Sequence, residues 1–270
     1  MKKGKRPIGK ILTILMIAFL YLPIAVVVLF SFNDSKSLTA FTGFSLQWYE
    51  KLFRSTDMME SVWTTVLVAV IATVVSTVVG TIAAIGLSKS KKIVRELVFR
   101  VNDFPIMNPE IVTAIGLMLL FITLSVERGL VTMILAHIAF CIPYVMLSVM
   151  PKIRSLDPNM ADAAMDLGCT PWQALIKVIV PQILPGIFSG ALIAFTMSFD
   201  DFIISYFVTG RGVKNLSIMV YTMSKRINPT INAISTIIIG VITIVLLLIN
   251  IVPVVSEKLN AKKFRKNEVK

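Results

Sequence analysis

Apolar residues in this chain come in long, nearly unbroken runs, where a soluble helix would place them only every third or fourth residue. Six runs approach the roughly 20 residues that cross a bilayer's hydrocarbon core. They cover Ile11 to Phe32, Val62 to Leu87, Pro109 to Val126, Leu130 to Met150, Gly186 to Val208 and Ala233 to Val255. Within each run the apolar character continues around the whole helical period, as contact with both lipid and neighbouring helices requires. The connections are too few and too short to enclose a soluble core. The pattern predicts an all-α membrane protein: a six-span helical bundle forming one transmembrane domain over residues 1–270, with a polar insertion at 151–185.

Basic residues are preferentially retained on the cytoplasmic side, so Lys and Arg in alternate connections orient the bundle. Segments 1–10, 88–103, 151–185 and 256–270 carry nineteen, and the other set carries eight. Both termini and the insertion are therefore expected in the cytoplasm, with the chain multi-pass in the cytoplasmic (inner) membrane. The net charge of +12 then reads as a topology signal plus attraction to anionic lipid, and requires no nucleic-acid partner. Ser31, Phe32 and Asn33 offer no small-residue cleavage site after the first run, which is read as a retained span rather than a signal peptide.

Chemical motifs are sparse. Cys141 within a span and Cys169 in the insertion give neither a disulfide framework nor a zinc-ligand spacing. His137, the single histidine, sits mid-span and reads as a hydrogen-bond partner of a neighbouring helix, with a proton relay as the alternative. The sequence has no G-x-x-x-x-G-K-[ST] phosphate loop and no Ser/His/Asp or Cys/His set on one face. No catalytic residue, metal site or bound cofactor is expected on this chain.

Residues 162–185, DAAMDLGCTPWQALIKVIVPQILP, carry the densest local signals. Asp157-Pro158 offers a capping side chain and a first-turn proline for a helix through Ala163, Ala164 and Leu167. Gly168 supplies the left-handed residue that closes it. Thr170-Pro171 repeats the start signal, and a second helix runs through Trp172, Leu175, Ile176 and Ile179 until Pro181 and Pro185 interrupt it. Two short helices meet at a sharp corner, where Ala163 and Ala164 let another protein approach the backbone. An amphipathic hairpin lying on the headgroups fits the same residues.

This segment resembles the EAA motif of ABC-importer permease subunits: Glu-Ala-Ala, three residues, Gly, nine residues, then aliphatic, any, aliphatic and Pro. Asp162, Ala163, Ala164, Gly168, Val178, Val180 and Pro181 fall on those positions, with Asp in place of Glu at 162 shortening the acid's reach by one methylene. The resemblance implies the type I importer permease fold and a coupling helix around Asp162, Ala163, Ala164, Asp166, Leu167, Gly168 and Pro181. It also implies partners: two copies of an ABC ATPase subunit, which hold ATP and Mg, a sister permease, and an extracytoplasmic solute-binding protein. Further along, Ser198-Phe199-Asp200-Asp201, Ser205 to Gly210, Asn228-Pro229 and Asn232-Ala233 resemble the second permease subunit of spermidine/putrescine importers. That likeness implies a polyamine cargo and a polyamine-binding protein. Permeases for thiamine, iron, phosphate or sulfate share the architecture and remain open.

The paired acids have a physical meaning of their own. If the fifth span starts between Pro185 and Gly190, a rise of roughly 1.5 Å per residue puts Asp200 about 15 to 22 Å into it. Each charge facing lipid there would cost about 2.5 to 3.5 kcal/mol. At least one of Asp200 and Asp201 must find a cavity, a partner or a proton, and adjacent helical residues diverge by about 100°, so the two need not share a role. A carboxylate lining a path offers compensating attraction to an ammonium group stripped of water, and Phe199, Phe202, Tyr206 and Phe207 add faces that attract cations. An ion-paired carboxylate holding helices together explains the acids as well, and packing explains the rings. An ion-coupled secondary transporter using Asp200 and Asp201 is the rival class.

Other features read as structural. Ala69, Ala72, Ser76, Gly80 and Ala83 form a small-residue stripe for close helix approach. Asn108-Pro109-Glu110 reads as cap, first residue and dipole-favoured carboxylate of the third span. The external segment 33–61, with Trp48 and Tyr49, reads as an interface anchor and a docking surface for a solute-binding protein.

Overall fold

A computed structural model describes residues 7–37, 39–210, 212–224, 228–244 and 247. In chain order the helices are α1 (Pro7–Ser31), α2 (Gln47–Arg54), α3 (Thr56–Ser88), α4 (Lys92–Met107), α5 (Glu110–Thr123) and α6 (Leu130–Arg154). They continue with α7 (Met160–Asp166), α8 (Pro171–Ala174), a π-helical turn (Leu175–Ile179), α9 (Val180–Asp200), α10 (Ile203–Val208), α11 (Leu216–Ser224) and α12 (Thr230–Ile244). Among the described residues four helices are long and apolar enough to cross a membrane: Gly9–Ser31, Thr56–Ser88, Leu130–Arg154 and the continuous Pro171–Asp200. The pair α4 and α5 passes the same test together but bends by 106°. The sixth predicted span coincides with α12 as far as Ile244; apart from residue 247, its remainder lies outside the described residues.

The chain forms two compact units, residues 57–221 and a second made of 1–56 with 222–270. In the second unit α1 leads into a turn organised by Asn33, whose side-chain amide donates to the carbonyls of Ser37 (3.1 Å) and Ala40 (2.9 Å) while its Oδ1 accepts from the Thr42 N–H (2.8 Å). The indole N–H of Trp48 donates to the Asn33 carbonyl at 2.6 Å, and the Tyr49 hydroxyl meets the Ser31 hydroxyl at 2.7 Å. Trp48 is buried. The interface-anchor reading therefore fails for this residue: its polar tip is consumed by the fold instead of reaching headgroups.

In the unit 57–221, α6 packs along α9, with α3, α4, α5 and α10 around them. Close approach depends on glycines where the sequence places small residues. A Cβ at Gly80 would sit 2.9 Å from the Val145 Cβ, and one at Gly190 would sit 3.2 Å from the Val145 Cα. Ala69, Ala72, Ser76 and Gly80 are buried as the stripe predicts, with Ala83 only partly so.

Four expectations are corrected. The connection 88–103 contains a helix, α4: its charges at Lys92, Arg95, Glu96 and Arg100 hide an apolar face at helical spacing. Pro181 and Pro185 do not end the second insertion helix, which runs unbroken into the fifth span. The π-turn at Leu175–Ile179 widens the backbone just where the ring of Pro181 would meet the carbonyl four residues earlier, and Pro181 falls at the start of α9. The fifth span instead breaks after Asp200, because Asp201 takes an extended backbone (φ −62°, ψ 127°) before α10 begins. At the third span Asn108 ends α4, and Pro109 opens α5 without a side-chain cap.

Candidate functional site

Two groups of residues stand out in the unit 57–221, at opposite ends of one continuous helix. The first is the corner at Gly168. Helix α7 begins at Met160, later than Asp157-Pro158 suggests, because the Asp157 carboxylate is used on the Asn159 N–H at 2.9 Å in a tight turn. Gly168 adopts φ +90°, and the bonds Cys169 N–H to Ala164 carbonyl (3.1 Å) and Gly168 N–H to Met165 carbonyl (2.9 Å) complete a Schellman closure. Thr170 and Gln173 then cap α8 reciprocally, side chain to backbone in both directions at 3.3 and 3.0 Å.

The corner turns the sequence-predicted residues to different sides. Asp162, Ala163, Asp166, Leu167, Gly168 and Pro181 are exposed, whereas Ala164 is buried against the unit. Only Ala163 of the alanine pair therefore offers a small outward surface. Leu167 (88% exposed) and Trp172 (70%) are large apolar side chains left uncovered on either side of the corner. Such a pair is what a partner's groove would cover.

The second group surrounds the break after Asp200. Asp201 is buried: its Oδ1 accepts from the Ile204 N–H (3.0 Å), and its Oδ2 accepts from the Ser205 N–H and hydroxyl (both 2.7 Å). These amides open α10 and have no helical acceptor of their own. His137 Nε2 lies 3.2 Å from Asp201 Oδ2, with both side chains 1% exposed. Nε2 also meets the Ser205 hydroxyl at 2.9 Å, and because that hydroxyl gives its own proton to Asp201 Oδ2, Nε2 is the donor of this contact. The opposite nitrogen, Nδ1, meets the Ser198 hydroxyl at 2.7 Å, and Asn215 ties the loop back by donating to the Asp201 carbonyl (3.0 Å) and the Ser205 hydroxyl (2.8 Å). The hydrogen-bonding reading of His137 holds, with partners on α9 and α10. Spacing along one span could not have paired it with Asp201, which is 64 residues away.

Asp200 differs from its neighbour: it is exposed. Phe202 stacks at a tilt on Tyr206 (5.4 Å between centroids) and Tyr221 (4.8 Å), and the two tyrosines meet edge-on at 6.0 Å. Phe199 is half-buried and stacks on Phe195 one turn earlier. Tyr206 also borders a cavity of about 500 Å³ with Arg128 and Lys214, whose charges disfavour a cation there. Glu110, at the first turn of α5, faces Asp201 and Asp200, a placement that its capping pattern did not suggest.

A family model described as binding-protein-dependent transport system inner membrane component matches residues 76–266, from mid-α3 past α12. The chain belongs to this permease family. The putrescine transport system permease protein PotI of Escherichia coli (strain K12) is 36% identical over 244 residues, covering 87% of this chain and 86% of that protein. The spermidine/putrescine transport system permease protein PotC of the same strain is 32% identical over 246 residues, covering 91% and 90%. In fold, a bacterial ABC transporter involved in the import of the acidic polysaccharide alginate aligns at a TM-score of 0.69 over 95% of this chain and 98% of that one, with 15% identity. The binding-protein-dependent permease described here is thus a multi-pass membrane protein and a transport subunit by kinship, with the importer permease fold.

Proposed function

We propose that this chain forms half of the membrane pathway of an ATP-driven polyamine importer. A solute-binding protein delivers spermidine or putrescine to the outer mouth, a sister permease supplies the other half, and two ATPase subunits dock on the cytoplasmic face, where both termini lie. The observation that carries the cargo is the division of labour between Asp200 and Asp201 in a chain 36% identical to a putrescine permease. Asp201 is spent on the fold, while Asp200 is exposed two residues before Phe202, whose ring packs on Tyr206 and Tyr221. A carboxylate next to aromatic faces suits a desolvated ammonium group.

The mechanism follows from the helix joining the two groups. From Pro171 to Asp200 the helix is unbroken over 30 residues, about 45 Å at 1.5 Å per residue. From Val180 onward it covers about 30 Å, one hydrocarbon thickness, so Asp200 lies a full core away from the corner. A displacement of the Gly168 corner by a closing ATPase pair would travel along this helix as a rigid element. Where α9 ends, the Asp201 network fixes how α10 and its rings follow. Asp162, Ala163, Asp166, Leu167 and Gly168 would contact the ATPase, with Pro181 shaping the junction behind them. The shorter Asp162 side chain reaches about one bond less far than a glutamate.

Proteoliposomes holding the assembled complex test the reading with labelled putrescine and the binding protein outside. Uptake that requires ATP within and saturates with the binding protein supports it. Uptake by this chain alone under an ion gradient, or transport of thiamine or phosphate with no polyamine transport, overturns it.

A further inference from the structure

Helix α4 carries a feature that the transport cycle does not use. Ile93, Leu97, Val101 and Phe104 recur at intervals of three and four residues, so they fall within about 80° on one face. All four are exposed, between 62% and 81%. The opposite face is anchored: Asn102 is buried and donates to the Pro143 carbonyl of α6 at 3.5 Å. Because α4 meets α5 at 106°, it runs nearly across the direction of a helix that enters the membrane. An amphipathic helix at that angle lies along an interface.

Beside the apolar stripe is a cleft of about 520 Å³ lined by Arg95, Glu96, Phe99, Arg100, Asp103 and Arg154. The Arg154 guanidinium rests 5.4 Å from the centre of the Phe99 ring. Among the described residues none of the three arginines has an ion-pair partner within 4 Å, and Glu96 lies 3.9 Å from Lys92. One oxygen of Asp103, Oδ1, is buried without a hydrogen-bond partner. The cleft thus holds an excess of fixed guanidinium donors and one orphaned acceptor. Arg95 and Arg154 also line a second cavity, of about 310 Å³, together with Asp157, Ala161, Leu175 and Ile179 of the coupling segment.

We propose that the Arg95, Arg100 and Arg154 cleft binds the phosphate of an anionic phospholipid with a hydroxylated headgroup, its acyl chains lying along Ile93 to Phe104. Guanidinium forks match phosphate oxygens, and a headgroup hydroxyl supplies the donor that Asp103 lacks. A soluble phosphate compound would leave the adjoining apolar stripe uncovered, and an apolar protein surface would leave the arginines unpaired. The site adjoins the coupling segment, so lipid charge would bear on how firmly that segment is seated.

Lipid retention by the purified chain in neutral detergent, read by native mass spectrometry, tests this with phosphatidylglycerol, phosphatidylcholine and inorganic phosphate as probes. The expected result is retention of phosphatidylglycerol at least tenfold above phosphatidylcholine, with no competition from millimolar phosphate. The triple variant R95Q/R100Q/R154Q should lose the preference, and R95K/R100K/R154K should keep part of it. If the triple glutamine variant does not fold, each single glutamine variant should lower retention about threefold or more. Equal retention of the two lipids, an unchanged preference in the glutamine variants, or displacement by phosphate alone would overturn the proposal. In the assembled transporter a spin label at L97C, in a C169S background, should be reached by oxygen and not by a water-soluble nickel complex. Shielding of that label by another subunit would count equally against a lipid occupant.

Discussion

Replacing Asp201 by alanine removes the side-chain acceptors that hold the start of α10. Two amide donors, at Ile204 and Ser205, lose their only side-chain acceptor, while the buried Nε2 of His137 keeps the Ser205 hydroxyl. Loss of an N-terminal cap costs about 0.5–2 kcal/mol, and an orphaned buried donor costs about 1–3 kcal/mol. Over the two amides the loss comes to about 3–5 kcal/mol. At about 2–4 °C per kcal/mol for a domain of this size, the thermal midpoint of the purified chain should fall by roughly 6–20 °C. Asp201→Asn keeps one acceptor oxygen and should fall between wild type and alanine. Asp200→Asn, at an exposed position, should stay within about 0.5 kcal/mol of wild type. Fluorescence-detected unfolding in detergent measures all three. An Asp201→Ala midpoint matching that of Asp200→Asn would refute the assignment of Asp201 to the fold.

Other consequences are as direct. Gly80→Ala should destabilise the unit by about 1–3 kcal/mol, since the new methyl would sit 2.9 Å from Val145, whereas Gly116→Ala meets nothing within 4 Å and should be neutral or stabilising in the isolated chain. Unfolding midpoints of the two variants check this. Ala163→Trp at the exposed face of α7 should abolish ATPase stimulation by loaded binding protein without altering the unfolding midpoint of the chain, as measured on assembled complex and chain separately. Leu167→Asp, at the 88% exposed apolar tip, should weaken co-purification of the ATPase by tenfold or more, the scale of a lost apolar anchor.

Local signals in the sequence were faithful where they act over a few residues. The Gly168 closure and the Thr170-Pro171 helix start were legible because each depends on residue types within one turn, and the structure places both as read. The break after Asp200 was not legible, since largely apolar residues continue through Phe202 to Val208 and the extended backbone at Asp201 is held partly by residues distant in sequence, Asn215 and His137. Helix α4 was hidden for a different reason: alternating charges suggested a connection, while its apolar positions were spaced for a helix. Pro181 and Pro185 looked like breakers, yet a π-turn absorbed the first of them. Trp48 illustrates the limit of residue preference, because an indole suited to headgroups found a carbonyl at Asn33 instead.

The polyamine pathway rests on Asp200 more than on any other residue. The most direct measurement is uptake of labelled putrescine and ATP hydrolysis, followed together in proteoliposomes carrying the complete transporter with Asp200→Asn in this chain. Uptake reduced at least tenfold, with hydrolysis still stimulated by loaded binding protein, is the expected result. Wild-type uptake in that variant would contradict the account.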